Sequence, residues 1–278
     1  MAYYEAIFFW IAMVCYALTS GAYVYAITFR NEKIMPRLSY LTGSAFLAHT
    51  AAIAARYQAQ GHLPWAGDYE NGLMGGWFII LFTLLAIWRY RQLQVIGIAT
   101  IPLTLLIMGF GVMRKPSLGP MVAALKSVWL YIHVYFAWIA YSAFTLALGA
   151  GVLYLLKERD EGQERQNPVY GRFPTLERLE DLTFRFIVFG FITAAIMNAA
   201  GSIWAKSLWG FYWSWDPVET WSLVSWLFYG LIIHLRVTFG WRGKRLAWLA
   251  IGAIVFVIVS FFGVTFVVKS SIHMFNVR

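Results

Sequence analysis

Residues 182–239 read LTFRFIVFGFITAAIMNAAGSIWAKSLWGFYWSWDPVETWSLVSWLFYGLIIHLRVTF. Two apolar runs, 182–203 and 217–239, are each long enough to cross a hydrocarbon core as a helix, which takes about 20 residues. The connection between them is unusually aromatic. Six of the chain's fourteen tryptophans fall within 204–226: Trp204, Trp209, Trp213, Trp215, Trp221 and Trp226. An interfacial belt also enriches tryptophan, whose ring has an apolar body and one N–H donor. A belt, however, does not crowd six indoles around Gly210, Asp216, Pro217 and Glu219. Such a surface suits a large, flat, apolar ligand with polar edges, and porphyrin fits that description.

The same apolar pattern recurs along the chain. Further runs at 6–29, 38–58, 71–90, 94–113, 127–156 and 246–268 bring the expected spans to eight. The fold class is therefore all-α, a polytopic membrane protein forming one integral domain over 1–278. Only 13% of the residues are charged, about half the share in soluble domains. The fifth run exceeds what a bilayer needs, so its end projects into water. The first run is long enough to span and lacks a basic leader, which argues against a cleaved signal peptide. The net charge of +9 does not indicate nucleic acid, because the basic residues sit between apolar runs. With both termini outside, fifteen of the 22 Lys and Arg fall in inner connections, as the positive-inside rule requires. That orientation puts the 204–216 segment on the outer face. The charged connection 157–181 is then inside, with Leu176, Leu179 and Leu182 at helical spacing predicting a short amphipathic helix before span six. The one cysteine, Cys15, reads as a core residue and has no partner for a disulfide.

The histidines are placed informatively. His133 begins span five and His273 follows span eight, both on the outer face with the tryptophan stretch. Two imidazoles beside an aromatic platform are suited to axial ligation of a haem iron. His234 lies near the inner end of span seven, and an intramembrane histidine is a functional candidate. Gly230, one turn away, would leave room there for a flat ring. A helix–helix hydrogen bond is the alternative role for His234. His49 lies among alanines in span two, equally compatible with packing and with a ligand; His62 reads as a loop residue. Asp216 and Glu219 belong to the candidate binding set with Trp209, Trp213 and Trp215. Asp216-Pro217-x-Glu219 is also a helix start: a cap, a first-turn proline and a capping-box glutamate. Arg56, Arg114, Lys126, Lys206 and Lys269 are the outer cations able to meet propionates. No nucleotide-binding loop or Ser-His-Asp constellation is legible.

The run WGFYWSWDPVETW resembles the "WWD" signature of haem-handling proteins in cytochrome c assembly, and its wording is most similar to the CcsA (ResC) family. The similarity continues from about Lys126 to the C-terminus, and Gly61-His62-Leu63-Pro64 with Tyr69-Glu70 resembles that family's first outer loop. The resemblance implies haem b as cofactor, His133 and His273 as outer iron ligands, and His234 as a ligand of a second, intramembrane haem. It implies a haem lyase (holocytochrome c synthetase) of System II, acting with a CcsB/ResB-type membrane subunit on the Cys-x-x-Cys-His segment of apocytochrome c. The location it implies is the bacterial plasma membrane, or the thylakoid membrane in a plastid. Two rivals remain open: a haem exporter or chaperone without ligation, and a structural haem-carrying subunit of a respiratory complex.

Overall fold

A computed structural model describes residues 2–65, 67–114, 125–164 and 166–260. Among these residues there are eight α-helices and no strand: α1 (Tyr3–Thr28), α2 (Met35–Gln60), α3 (Asp68–Arg89), α4 (Gly97–Met113), α5 (Val128–Glu161), α6 (Leu176–Trp209), α7 (Pro217–Thr238) and α8 (Lys244–Ile258). Each expected span overlies one of them. Six are long and apolar enough to cross a membrane, α4 being a shorter apolar helix of 17 residues. Helices are the form such segments take because lipid offers no partner for a backbone N–H or C=O. Exposed apolar side chains such as Trp10, Val14, Leu47, Ile192 and Leu227 make the lipid-facing surface of this polytopic membrane protein.

The expected short helix before span six is not separate. Thr175 caps the start, its hydroxyl accepting the Arg178 amide at 3.3 Å, and α6 runs unbroken for 34 residues. Leu179 and Leu182 are buried while Asp181 pairs with Arg178 and Arg185, so the amphipathic stretch packs as the first turns of the spanning helix. At 1.5 Å per residue, α5 and α6 are each about 50 Å long, against a core of about 30 Å. They pack side by side, and Gly190 admits Phe144: a Cβ there would lie 2.4 Å from the Phe144 ring. Small residues bring other helices equally close. A Cβ on Gly72 would meet the Ile107 carbonyl at 2.8 Å, and one on Gly76 would meet Met108 at the same distance, whereas one on Gly75 would find ordinary contacts at 3.7 Å. Cys15 is half-buried against the core of α1–α4 rather than enclosed within it.

The antiparallel succession sorts the connections into two ends. At one end, Arg172 pairs with Glu32 at 3.0 Å, Asn167 donates to the Ile27 carbonyl at 2.9 Å, Glu180 pairs with Arg236 at 2.7 Å and Lys244 with Glu158 at 3.3 Å. The Arg178 guanidinium covers the Tyr90 ring. These contacts join the α1–α2, α3–α4, α5–α6 and α7–α8 connections into one basic face. At the opposite end lie the starts of α1, α3, α5 and α7, with the tryptophan stretch.

Candidate functional site

The tryptophan stretch is framed by two helix caps. Gly210 ends α6 in the left-handed conformation (φ 84°), its N–H bonded to the Lys206 carbonyl. Lys206 returns its ammonium to the Gly210 carbonyl at 2.6 Å. Asp216 opens α7, its carboxylate accepting the Val218 amide at 2.9 Å, with Pro217 in the first position. The expected capping box takes a different form. Glu219 reaches past Asp216 and accepts the Ser214 amide at 2.8 Å and the Ser214 hydroxyl at 3.0 Å. The carboxylate thus closes the loop around Trp215, which sits at φ 60°, a left-handed backbone that residues with a Cβ rarely adopt. Ser202 donates to the Tyr212 carbonyl at 2.7 Å and ties the loop back to α6.

These constraints divide the six indoles. Trp204 is buried against Leu125, Leu130 and Trp209. Trp226 donates to the Phe191 carbonyl and stacks on the Phe191 ring at 4.8 Å, so it is a packing residue. Trp209 and Trp213 are half-buried, and Trp215 meets Trp213 edge-on at 5.8 Å. Trp215 is 72% exposed, and Phe211, Tyr212 and Trp221 are exposed with it. The open surface is thus made by four aromatic residues of the loop and the first turns of α7. The indole N–H of Trp213 is enclosed with no acceptor among the described residues.

His133 lies in the second turn of α5, at the same end of the bundle as this surface, and packs against α6. Its Nδ1 lies 2.8 Å from the Met197 carbonyl oxygen of α6. A carbonyl only accepts, so Nδ1 carries the proton, and the neutral form of the ring would have its lone pair on Nε2, the form that binds a metal. His273 and Lys269 lie outside the described residues. Ser222, on α7, donates to Asn198 at 3.1 Å and fixes the start of α7 to the turn of α6 that holds His133.

His234 is exposed at the other end of α7, where its Nδ1 and the Thr238 hydroxyl lie 3.2 Å apart and its ring meets Phe239 edge-on. Seventeen residues separate it from Pro217, about 26 Å along the helix. The space expected at Gly230 is filled: a Cβ there would lie 3.0 Å from the Phe191 ring, so this glycine serves the α6–α7 contact. His49 is fully buried, with Nε2 2.9 Å from the Leu73 carbonyl and Nδ1 3.4 Å from the Tyr16 hydroxyl. Both its nitrogens are engaged in joining α1, α2 and α3. His62 lies on the exposed α2–α3 connection, its Nδ1 2.9 Å from the Leu63 carbonyl.

Arg56 departs from expectation. Only 2% exposed, it bonds Glu70 at 2.8 and 2.9 Å and Glu5 at 3.2 Å, while Tyr69 donates to Glu5 at 2.7 Å. It holds three helices together and is not on offer to a propionate. Periodicity placed it on the right face but gave no sign of partners 51 and 14 residues away. Arg114 pairs with Asp68 at 3.0 Å, while Lys126 is exposed.

Residues 65–272 match the family described as Cytochrome C assembly protein. The chain belongs to that family. It is 32% identical over 270 residues to a cytochrome c biogenesis protein CcsA of Guillardia theta, covering 89% of each chain. A CcsA of Porphyra purpurea is 31% identical, over 84% of this chain and 88% of its own. One from Synechococcus sp. (strain CC9605) is 30% identical, over 81% and 82%. The resemblance read from the tryptophan motif thus extends over most of the chain. The structure also superposes on Cytochrome c Heme Lyase CcmF with a TM-score of 0.71 at 19% identity, covering 92% of this chain and 46% of that one. The chain spans just under half of that protein, and the likeness establishes the shared helical fold.

Proposed function

We propose that this protein takes part in cytochrome c maturation by holding haem b at its tryptophan end, where the porphyrin is joined to apocytochrome c. The observation that carries the reading is an exposed aromatic surface at the same end of the bundle as His133, whose Nδ1–H is committed to Met197, which leaves Nε2 as the nitrogen that would face an iron. The donor set fits a haem: an imidazole whose Nδ1–H is fixed, open aromatic faces, and the Trp213 N–H, which has no acceptor among the described residues, as a donor for a carboxylate edge. His273 is the second axial ligand in this reading; Trp215 supplies the surface with Phe211, Tyr212 and Trp221, and the half-buried Trp209 and Trp213 back it. Asp216 and Glu219 shape the loop and do not contact propionates, since like charges repel.

The substrate supplies the reacting vinyl groups and the apocytochrome supplies two thiols. In each addition an S–C bond forms at one vinyl carbon and the thiol proton ends on the other, with nothing oxidised overall. The protein's share is orientation, which makes a bimolecular addition effectively intramolecular. His234, exposed on a helix with few buried residues, suits ligation of a second haem against a CcsB/ResB-type subunit laid on that face. The tryptophan end faces the outer compartment of a plasma or thylakoid membrane, because the opposite face carries the basic connections.

Co-expression with the CcsB/ResB-type subunit and an apocytochrome carrying Cys-x-x-Cys-His tests this. Covalent haem on the apocytochrome, lost in His133→Gly and partly restored by imidazole, is the expected result. Haem released to the outer side without a covalent product would mean an exporter. Permanently bound haem with no transfer would mean a respiratory subunit.

A further inference from the structure

We propose that Gly201 is a positioning residue: the side chain it lacks is what lets the His133 ring lie against α6, where the Met197 carbonyl fixes its orientation and tautomer. The proposal rests on the reading of His133 as a haem ligand and extends it to the residues that present that ligand.

Met197 and Gly201 are one turn apart on α6, so the α-helical ladder already assigns the Met197 carbonyl to the Gly201 amide. A carbonyl oxygen has two lone pairs, and the second is taken by His133 Nδ1–H at 2.8 Å. The ring reaches that oxygen only because position 201 is bare. A Cβ at this position would lie 2.6 Å from Nδ1 and 3.0 Å from Cε1. The Nδ1–Cε1 edge therefore lies in the space that any other residue would fill. The α6 backbone is poorly placed to give way, since Met197, Ala200, Trp204 and Ala205 are all buried around it. The imidazole, which turns about two side-chain bonds, is the part that moves. A side chain at 201 would thus cost the fold little and would push Nδ1–H off its acceptor. Histidine ligands generally donate their second N–H to such an acceptor, which sets the ring plane and strengthens the donor nitrogen; losing it costs about 10- to 100-fold in metal affinity.

The test uses the full chain with its partner subunit and compares wild type, Gly201→Ala and His133→Gly. Haem affinity and midpoint potential are read on the loaded complex. The ¹⁵N imidazole shifts of His133, assigned by their absence in His133→Gly, are read on haem-free protein. Wild type is expected to show a single tautomer protonated at Nδ1. Gly201→Ala is expected to lose that preference, to weaken haem binding by about 10-fold or more, and to raise the midpoint potential as the iron's donor weakens. Added imidazole should restore the low-spin spectrum in His133→Gly, where the ring's space is vacated. Wild-type affinity and tautomer signals in Gly201→Ala would overturn the proposal. So would an Nε2-protonated ring in wild type, a result that needs no variant to fold. If His133→Gly itself leaves haem affinity unchanged, the ligand assignment fails; if it abolishes binding and Gly201→Ala does not weaken it, only the positioning role fails.

Discussion

Replacing Trp215 with glycine and, separately, with alanine divides the cost of its backbone from the work of its ring. At φ 60° a residue with a Cβ is held at a cost of about 1–2 kcal/mol. Glycine removes that cost while losing about 0.5–1 kcal/mol through the greater freedom of the unfolded chain. W215G is therefore expected to be more stable than W215A by about 0.5–1 kcal/mol. Both variants lose the edge contact with Trp213 at 5.8 Å, a pairing that contributes about 0.5–1.5 kcal/mol. Burial adds little, because the ring is 72% exposed. W215G should accordingly lie within about 1 kcal/mol of wild type, with W215A below it. Haem content should fall equally in the two, since both lack the indole. Thermal unfolding in detergent measures the first quantity and absorbance per folded chain the second. W215A matching or exceeding W215G in stability would refute the strained backbone. Full haem content in W215G would refute the exposed ring as part of the binding surface.

His49→Leu strands the Tyr16 hydroxyl inside the α1–α3 bundle, at about 1–3 kcal/mol, and removes the second bond to the Leu73 carbonyl, which keeps its helical one. Stability should drop while haem per folded chain holds; haem loss in stable protein would show that His49 is a ligand. Arg56→Met leaves Glu5 and Glu70 buried without their cation, at about 3–5 kcal/mol, and adding Glu5→Gln with Glu70→Gln should recover much of it. A triple variant no more stable than Arg56→Met would contradict the ion-pair account. In a Cys15→Ala background, cysteines introduced at Gln163 and Lys126 should react with an impermeant reagent from opposite sides of the membrane; reaction from one side rejects the topology. His234→Ala should lower total haem, including haem at the tryptophan end, if supply passes that residue first, and unchanged haem would leave His234 a packing role.

The spans were legible because membrane crossing imposes a length, and length survives in a single sequence. The caps at Thr175, Gly210 and Asp216 have local signatures, but whether a polar stretch interrupts a helix is decided by what covers it. The run at 175–182 reads as a separate amphipathic piece and instead continues into α6, because its leucines find cover and its charges pair with one another. Periodicity put Gly230 and His234 on the same face but could not say that Phe191 fills the space at Gly230. The acceptor that orients His133 is a backbone oxygen, and every residue has one, so no residue type announces it. Gly201 was the available signal, a glycine in span six among larger residues, visible as a clue only once the opposing side chain is known.

The two ends of the bundle are fastened by different chemistry, and this gives the molecule an uneven response to its solvent. At the basic end the connections are joined largely by ion pairs at the water's edge, among them Arg172–Glu32 and Lys244–Glu158, which dissolved salt screens within about 10 Å at 0.1 M. At the tryptophan end one such pair, Arg114–Asp68, also stands at the surface, but the other fasteners are stacked rings such as Trp65 on Tyr131 at 4.4 Å and the enclosed Arg56 with its two glutamates, which salt scarcely reaches. Rising ionic strength therefore slackens one end while the other keeps its grip. The helices behave as staves hooped tightly at one rim and loosely at the other, with give at the loose rim and a constant gap between the staves at the tight one.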